Sequence, residues 1–272
     1  MVDGRLRIAL IHEVFFGDGA TERLDAALAE ARSEGAELAI LPELPLDPWI
    51  PATREVRDED AEPRDGPHRR ALCGAAVRAG IGVLGGVIVA ENGARRNRAL
   101  LIDAQGAVVS RYDKLHIPLE PGFWERDHYE PGEALTPPCD CFGLRIGLQI
   151  CSDVQRPQSS TALAAMGAEV LFAPRATPPG SYDRWVTVLR AAAIATACYV
   201  VSTNRPREEH GVAIGGPSVV IAPDGTVIIE TEQPVTQATL ERAAVTAARA
   251  DYPGYLDVRA DLYGKIWSSL SP

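Results

Sequence analysis

The chain has 272 residues, 46% hydrophobic and 24% charged, with a formal charge of −10 from 27 basic and 37 acidic residues. That is long enough to bury a full core and too apolar for disorder. The acidic balance disfavours a phosphate backbone, so no nucleic-acid partner is expected, and no apolar run approaches the roughly 20 residues of a membrane span.

In chain order, the first apolar run is Leu6–Ile11, broken by His12 and Glu13 too early for a signal peptide. It reads as a strand, and the protein as cytoplasmic with no membrane partner. A helix is expected at Ala20–Ser33 with Thr21 as its cap, then a strand at Glu37–Pro42 running straight into Glu43. Asp58–Asp65 is the most charged stretch and reads as a solvated loop before a helix at Pro67–Ala79. Strands follow at Ile81–Val89, Arg98–Asp103 and Ala107–Arg111, the last two turned into a hairpin at Gly106. The second half repeats the rhythm. Strands at Leu144–Ile150, Glu169–Pro174 and Tyr199–Thr203 alternate with helices at Pro157–Met166 and Ser181–Ala197. A hairpin of Pro217–Ala222 and Thr226–Thr231 turns at Asp224-Gly225, and a helix at about Glu241–Ala250 follows.

Within Ser181–Ala197, capped by Ser181, the residues Trp185, Val188, Leu189, Ala192 and Thr196 recur at three- and four-residue steps and so face inward. Many strands are apolar on both parities, the pattern of strands covered on both faces. Hairpins among the crossovers exclude a purely parallel series. The shared rhythm of the halves points to two similar layers packed together.

Five cysteines, odd in number and thinly spread, argue against disulfides. Cys73 and Cys198 fall at core positions, and the Cys139-x-Cys141 pair has no further ligands nearby. The histidines at 12, 68, 116, 128 and 210 make no paired spacing, so no metal is expected. Cys151 is different. It ends an apolar strand, and Ser152, Asp153 and then Pro157 lead into a helix. A thiol on such a turn would be exposed at the sheet edge beside helix N-terminal amides, which favour thiolate and donate to an oxyanion. The bland alternative is a small buried hydrophobe. An attacking thiol needs a base, for which His116 and His128 are available. Glu43 and Lys114 also sit at the ends of apolar runs, where charge is costly unless paired or functional.

Leu41-Pro42-Glu43, Tyr112-Asp113-Lys114-Leu115-His116-Ile117-Pro118 and Gly147-Leu148-Gln149-Ile150-Cys151-Ser152-Asp153, in that order, resemble the nitrilase-related carbon–nitrogen hydrolases. Glu120-Pro121-Gly122-Phe123-Trp124-Glu125, Tyr129-Glu130-Pro131-Gly132, the Arg190 to Asn204-Arg205 segment, Gly215-Gly216-Pro217-Ser218 and Tyr252-Pro253-Gly254-Tyr255 extend the likeness over nearly the whole chain. The resemblance implies an α+β fold, a single domain over 1–272 built as a four-layer α-β-β-α sandwich. It also implies a homodimer or higher homo-oligomer, with the tail from about 252 to 272 at the interface. Carried over residue by residue, it implies Glu43 as general base, Lys114 as oxyanion stabiliser and Cys151 as nucleophile. Glu125 matches the family's second glutamate, held near the lysine and helping to position substrate. A thioester acyl-enzyme, release of ammonia or an amine, and no cofactor complete the expectation.

Those residue types suit the work. A free thiol titrates near 8.5 and a free Glu near 4.3, roughly 4 pH units apart. Burial of the carboxylate and an ammonium beside the thiol both narrow the gap.

Ser152-Asp153 stand where nitrile-hydrolysing members usually carry Trp-Glu, which is similar to the amidase and carbamoylase branches. The expected substrate is a small linear amide or N-carbamoyl compound. A nitrile, or a catalytically silent binding role, are the alternatives. Pro157-Gln158 replaces the Pro-Glu common in those branches, which alters either a helix end or a pocket wall. Trp49, Trp124, Ser152, Arg175 and Ala176 are expected to bind substrate. For the tryptophans the alternative is core or interface packing. For Arg175 the choice is between clasping a substrate carboxylate and a structural ion pair.

Overall fold

The computed structural model describes residues 4–270. Its first half runs β1 (Arg5–Ile11), α1 (Ala20–Ser33), β2 (Leu38–Ile40), β3 (Glu62–Pro63), α2 (Pro67–Ala79), β4 (Gly82–Glu91), β5 (Ala94–Ile102) and β6 (Val108–Asp113). A one-turn helix, α3 (Glu125–His128), crosses to β7 (Cys139–Cys141), β8 (Leu144–Leu148), α4 (Pro157–Ala165), β9 (Val170–Phe172), α5 (Tyr182–Thr196), β10 (Tyr199–Ser202), β11 (Ser218–Ile221) and β12 (Val227–Thr231). The chain then returns through β13 (Val235–Glu241), α6 (Arg242–Ala250) and α7 (Ala260–Ser269).

Two sheets result, ordered β13-β1-β2-β4-β5-β6, with β3 also on β4, and β12-β11-β10-β9-β8-β7. In both, helical crossovers join parallel strands and hairpins add antiparallel ones.

Side-chain alternation builds the layers. Leu6, Ile8 and Leu10 of β1 meet Ile146, Val170, Phe172 and Val201 of the other sheet in one core. Ala9 and Ile11, on the opposite parity, pack with Leu24 and Leu28 of α1 and Leu72 of α2. Leu171, Val200 and Val219 do the same under Leu163 of α4 and Leu189 of α5. The order is therefore helix, sheet, sheet, helix, the expected four-layer sandwich.

Several expected runs are longer than their strands. Glu37–Pro42 pairs only over Leu38–Ile40, and Leu144–Ile150 only over Leu144–Leu148, because the residues that follow leave the ladder to form the site. β3, β7, β13, α3 and α7 were not expected. Gly19, at φ 68°, precedes α1, so Thr21 lies inside the helix rather than capping it. Ser181 does precede α5, but its Oγ donates to Pro178 O at 2.8 Å and caps nothing. Within the charged stretch Asp58–Asp65, Glu62 is buried rather than solvated. Its carboxylate accepts the His68 and Arg69 N–H groups at 2.6 and 2.9 Å, satisfying the first turn of α2. On α5, Leu189, Ala192 and Thr196 are buried, while Trp185 and Val188 are half-buried.

Candidate active site

The ends of β2, β6 and β8 converge with α3. Glu43 follows β2 by three residues, Lys114 follows β6 directly, and Glu125 opens α3. Cys151 opens a 3-10 turn, Cys151–Gln155, and takes a left-handed φ of 46°, which costs a non-glycine residue energy and persists only where the surroundings impose it. Its N–H bonds to Pro174 O at 2.9 Å, and its Sγ lies 3.9 Å from Ala176 O. Asp153, fully buried, holds the turn. It accepts from the Ile150, Leu115 and His116 N–H groups at 2.9–3.1 Å and from Tyr112 OH at 2.8 Å, so the segment after Lys114 is tied to the cysteine turn.

Lys114 Nζ donates to Glu43 Oε1 at 2.8 Å and to Glu125 Oε2 at 2.5 Å, and none of the three side chains is more than 1% exposed. Asn97 Nδ2 donates to Glu43 Oε1 at 2.8 Å and to Tyr129 OH at 3.3 Å. Tyr129 OH in turn donates to Glu125 Oε2. Glu43 Oε2 and Glu125 Oε1 are buried without a partner. Leaving a buried carboxylate oxygen unpaired is costly, so these two atoms are the ones open to a proton or a substrate.

The electrostatics follow from burial. It pushes the Cys151 thiol well above its ordinary value; Glu43 and Glu125 add to the rise, and Lys114 opposes it. It would lower the Lys114 ammonium, but the carboxylates of Glu125 and Glu43 outweigh it and hold that group above its usual range. Burial raises Glu125 to about 7 against the pull of Lys114. A cavity of about 290 Å³ opens over Cys151 and Glu125. Phe123, Pro118 and Trp185 give it apolar walls, Ser152, Gln155 and Thr177 supply polar groups, and Glu120 and Arg184 stand exposed at its rim.

The family model described as carbon-nitrogen hydrolase matches residues 18–250. The chain belongs to the carbon–nitrogen hydrolase family. This hydrolase of non-peptide C–N bonds is 31% identical over 254 residues to the "Hydrolase in pqqF 5'region" of Pseudomonas protegens, covering 91% of this chain and 86% of that one. It is 28% identical over 283 residues to the N-carbamoylputrescine amidase of Arabidopsis thaliana, covering 97% and 94%. Among solved structures, a double mutant of the amidase from Nesterenkonia sp. AN1 in complex with acrylamide superposes with a TM-score of 0.80 at 25% identity, covering 97% of both chains. Another variant of that amidase carries the acetamide moiety of fluoroacetamide on its active-site cysteine, with a TM-score of 0.76, 25% identity, and 96% and 97% coverage.

Around the hydrolase site, the expected residues divide. Glu43, Lys114 and Glu125 form one bonded cluster whose charges act on Cys151, and Ser152 and Ala176 line the cavity. Ser152 Oγ donates to His116 O at 2.5 Å. Three expectations are corrected. Trp49 is fully buried behind the wall, with its indole N–H on Gly122 O at 2.8 Å and its ring tilted against Phe123. Trp124 carries the Arg54 guanidinium 3.8 Å above its ring, and the neighbouring Phe123 faces the cavity instead. Arg175 is also fully buried, away from the cavity lining and without an ion pair among the described residues; burial lowers its guanidinium to about 10.

Cys151 is itself only 4% exposed, at the base of the cavity rather than at a sheet edge, and its own N–H is already committed to Pro174 O. His116 Nδ1 lies 2.8 Å from Asp153 Oδ1 and His128 Nε2 lies 2.7 Å from Thr53 O; neither lines the cavity. Gln158 is exposed on the first turn of α4 and forms no pocket wall. Sequence reasoning did not single out Asn97, Tyr129 or Asp153 for a role. The available signal for Asn97 was a short polar side chain within the β5 run, at a position that proves 1% exposed.

Proposed function

We propose that this carbon–nitrogen hydrolase cleaves small linear amides or N-carbamoyl compounds, with Cys151 as nucleophile, Glu43 as general base, Lys114 as oxyanion stabiliser and Glu125 as the group that positions the lysine. The observation that carries the reading is the lysine bridging two buried carboxylates, each with an unpartnered oxygen, beside a thiol at the base of a small cavity. The cysteine adduct of the Nesterenkonia amidase supports the same assignment of the thiol.

The steps follow from that geometry. The Sγ proton passes to Glu43 as the S–C bond forms, and the carbonyl electron pair moves onto oxygen, where Lys114 stabilises it. Glu43 returns the proton to the leaving nitrogen, the C–N bond breaks, and ammonia or an amine departs. Water then attacks the thioester, giving its proton to Glu43; the C–S bond breaks, Glu43 returns the proton to the departing sulfur, and the carboxylic acid is released with the thiol and carboxylate restored. Ammonia release measured across amides, N-carbamoyl amines, N-carbamoyl amino acids and nitriles tests the substrate class. Turnover of amides or N-carbamoyl compounds is expected; turnover of nitriles alone would overturn it.

We also propose that the chain acts as one domain and as a homodimer, with the tail from about 252 at the interface. Tyr252, Tyr255 and Leu256, with Leu262, Tyr263, Ile266 and Trp267 of α7, are exposed large hydrophobic side chains concentrated in this tail, which supports the reading. Removing the chain after Asp251 should convert a dimer to a monomer in light scattering, and an unchanged mass would contradict the interface. No helix among the described residues is long and apolar enough to cross a membrane. The five free cysteines support a reducing, cytoplasmic setting.

A further inference from the structure

Two arginines are buried to the last atom, and they are not alike. Arg205 forks onto Glu209, with Nε 2.8 Å from Oε1 and Nη2 2.7 Å from Oε2, and spends its remaining donors on the Glu43, Leu44 and Asp47 carbonyls. Its charge has an anion. Arg175 has none. Its Nε donates to Thr177 Oγ1 at 3.1 Å, Nη1 to Ser202 O and Ser202 Oγ at 2.8 Å each, and Nη2 to Pro217 O. All four acceptors are neutral, an expensive way to bury a cation.

The anion that its charge would answer is a Cys151 thiolate, the first group after burial to act on the guanidinium. Pro174 O accepts the Cys151 N–H, and Ala176 O faces the Cys151 Sγ, so the Arg175 backbone runs between the two contacts made by the cysteine. Above about pH 7, where Glu125 ionises, Glu43, Lys114 and Glu125 sum to one negative charge, which opposes a thiolate beside them. Arg175 brings the sum to zero. The group that faces it from just beyond β1, His12, bonds Ser218 Oγ at 2.9 Å and, by burial and by the arginine itself, is held neutral down to about pH 4. Tyr182 approaches from α5 as a neutral phenol, its burial disfavouring ionisation.

We propose that Arg175 is a positioning residue whose uncompensated charge balances the active site, favouring the Cys151 thiolate and then the oxyanion, while its hydrogen bonds fix the Ala176-Thr177 wall. This rests on Cys151 being the nucleophile. When the Sγ proton moves to Glu43, the negative charge passes from carboxylate to sulfur and then to the carbonyl oxygen, and the positive pair of Lys114 and Arg175 balances it with Glu125 throughout.

The test reads the thiol without any substrate. Alkylation of Cys151 by iodoacetamide, mapped by peptide mass, is followed against pH in folded wild-type protein, Arg175→Lys and Arg175→Gln. The Gln side chain keeps donors for Ser202 and Thr177 but no charge, and Lys keeps the charge. Expected is a profile displaced upward by about one pH unit or more, roughly tenfold slower alkylation at neutral pH, in Arg175→Gln and near wild-type behaviour in Arg175→Lys. Superimposable profiles, or equal displacement in both variants, would overturn the charge role. His12→Asp supplies an independent arm should the Gln variant not fold: an anion set against the same guanidinium must displace the profile upward, and His12→Asn must not. If His12→Asp leaves the profile in place, the proposal fails. Failure of the nucleophile assignment looks different, since a Cys151→Ala protein would then still turn over substrate.

Discussion

A wide arginine-lined groove and the proposed site of chemistry are different places on the molecule. Along β4–β6 a groove of about 530 Å³ is lined by Arg64, Arg69, Arg98 and Arg111, nearly twice the volume of the 290 Å³ cavity over Cys151. In the groove the most buried charge is answered. Arg98 forks onto Asp113 at 2.6 and 2.9 Å and reaches Glu91 at 2.9 Å. Around Cys151, a buried lysine is shared by two carboxylates, each left with an oxygen that no described residue partners, and the Arg175 guanidinium meets only neutral groups. Volume therefore does not locate the chemistry here. Buried charge that the protein alone leaves unanswered does, because such charge is costly unless a reaction uses it.

That contrast can be broken by substitution on either side. The largest effect is expected from Cys151→Ala, which should lower turnover by at least about 10⁴-fold while the thermal transition stays in place. Comparable activity in the purified variant would refute the assignment. Lys114→Met removes the proposed oxyanion donor and leaves two carboxylates facing each other. A loss of about 10³-fold in kcat is expected, and Glu43→Gln should fall in the same range, both read by steady-state ammonia release. Tyr129→Phe deletes one charge-assisted bond to Glu125 and should cost about tenfold in kcat with KM nearly unchanged.

Stability against pH sharpens the picture around Arg175. His12 is pushed down to about 4 by burial and by the arginine, so the folded protein holds it neutral where the unfolded chain, with its ordinary value of 6.5, takes up a proton. Its contribution is complete above 6.5 and is lost as the pH falls towards 4, about 3 kcal/mol in denaturant titrations. His12→Asn should flatten that slope. The smallest catalytic effect belongs to the groove. Arg98→Ala should lower stability by roughly 1–2 kcal/mol and leave turnover within about twofold of wild type. A large loss of activity there would mean that the groove, and not the smaller cavity, serves the reaction.

How far the amino-acid sequence reveals this arrangement depends on the kind of information required. The layers were legible because apolar runs on both parities and one hairpin recur in each half, and those patterns survive without knowledge of contacts. Glu43, Lys114 and Cys151 were legible because polar residues at the ends of buried strands stand out, and their order resembles one family. Which way a side chain faces was not. Arg175 and Ala176 are neighbours leaving β9, where successive residues point to opposite sides, and the alanine takes the cavity while the arginine turns into the protein. Phe123 and Trp124 differ in the same way. β13 was missed because its polar residues, Thr236, Gln237 and Thr239, dilute the apolar signal, yet pairing with β1 from Arg5↔Glu241 to Ile11↔Val235 makes it a full edge strand. Tertiary pairing supplied what local propensity lacked.

Intact-mass spectrometry of the protein during turnover of a small amide addresses the buried thiol most directly. A transient mass increase equal to the acyl group, mapped to the Cys151 peptide and absent in Cys151→Ala, is the predicted result. Ammonia release at the wild-type rate from Cys151→Ala would contradict it.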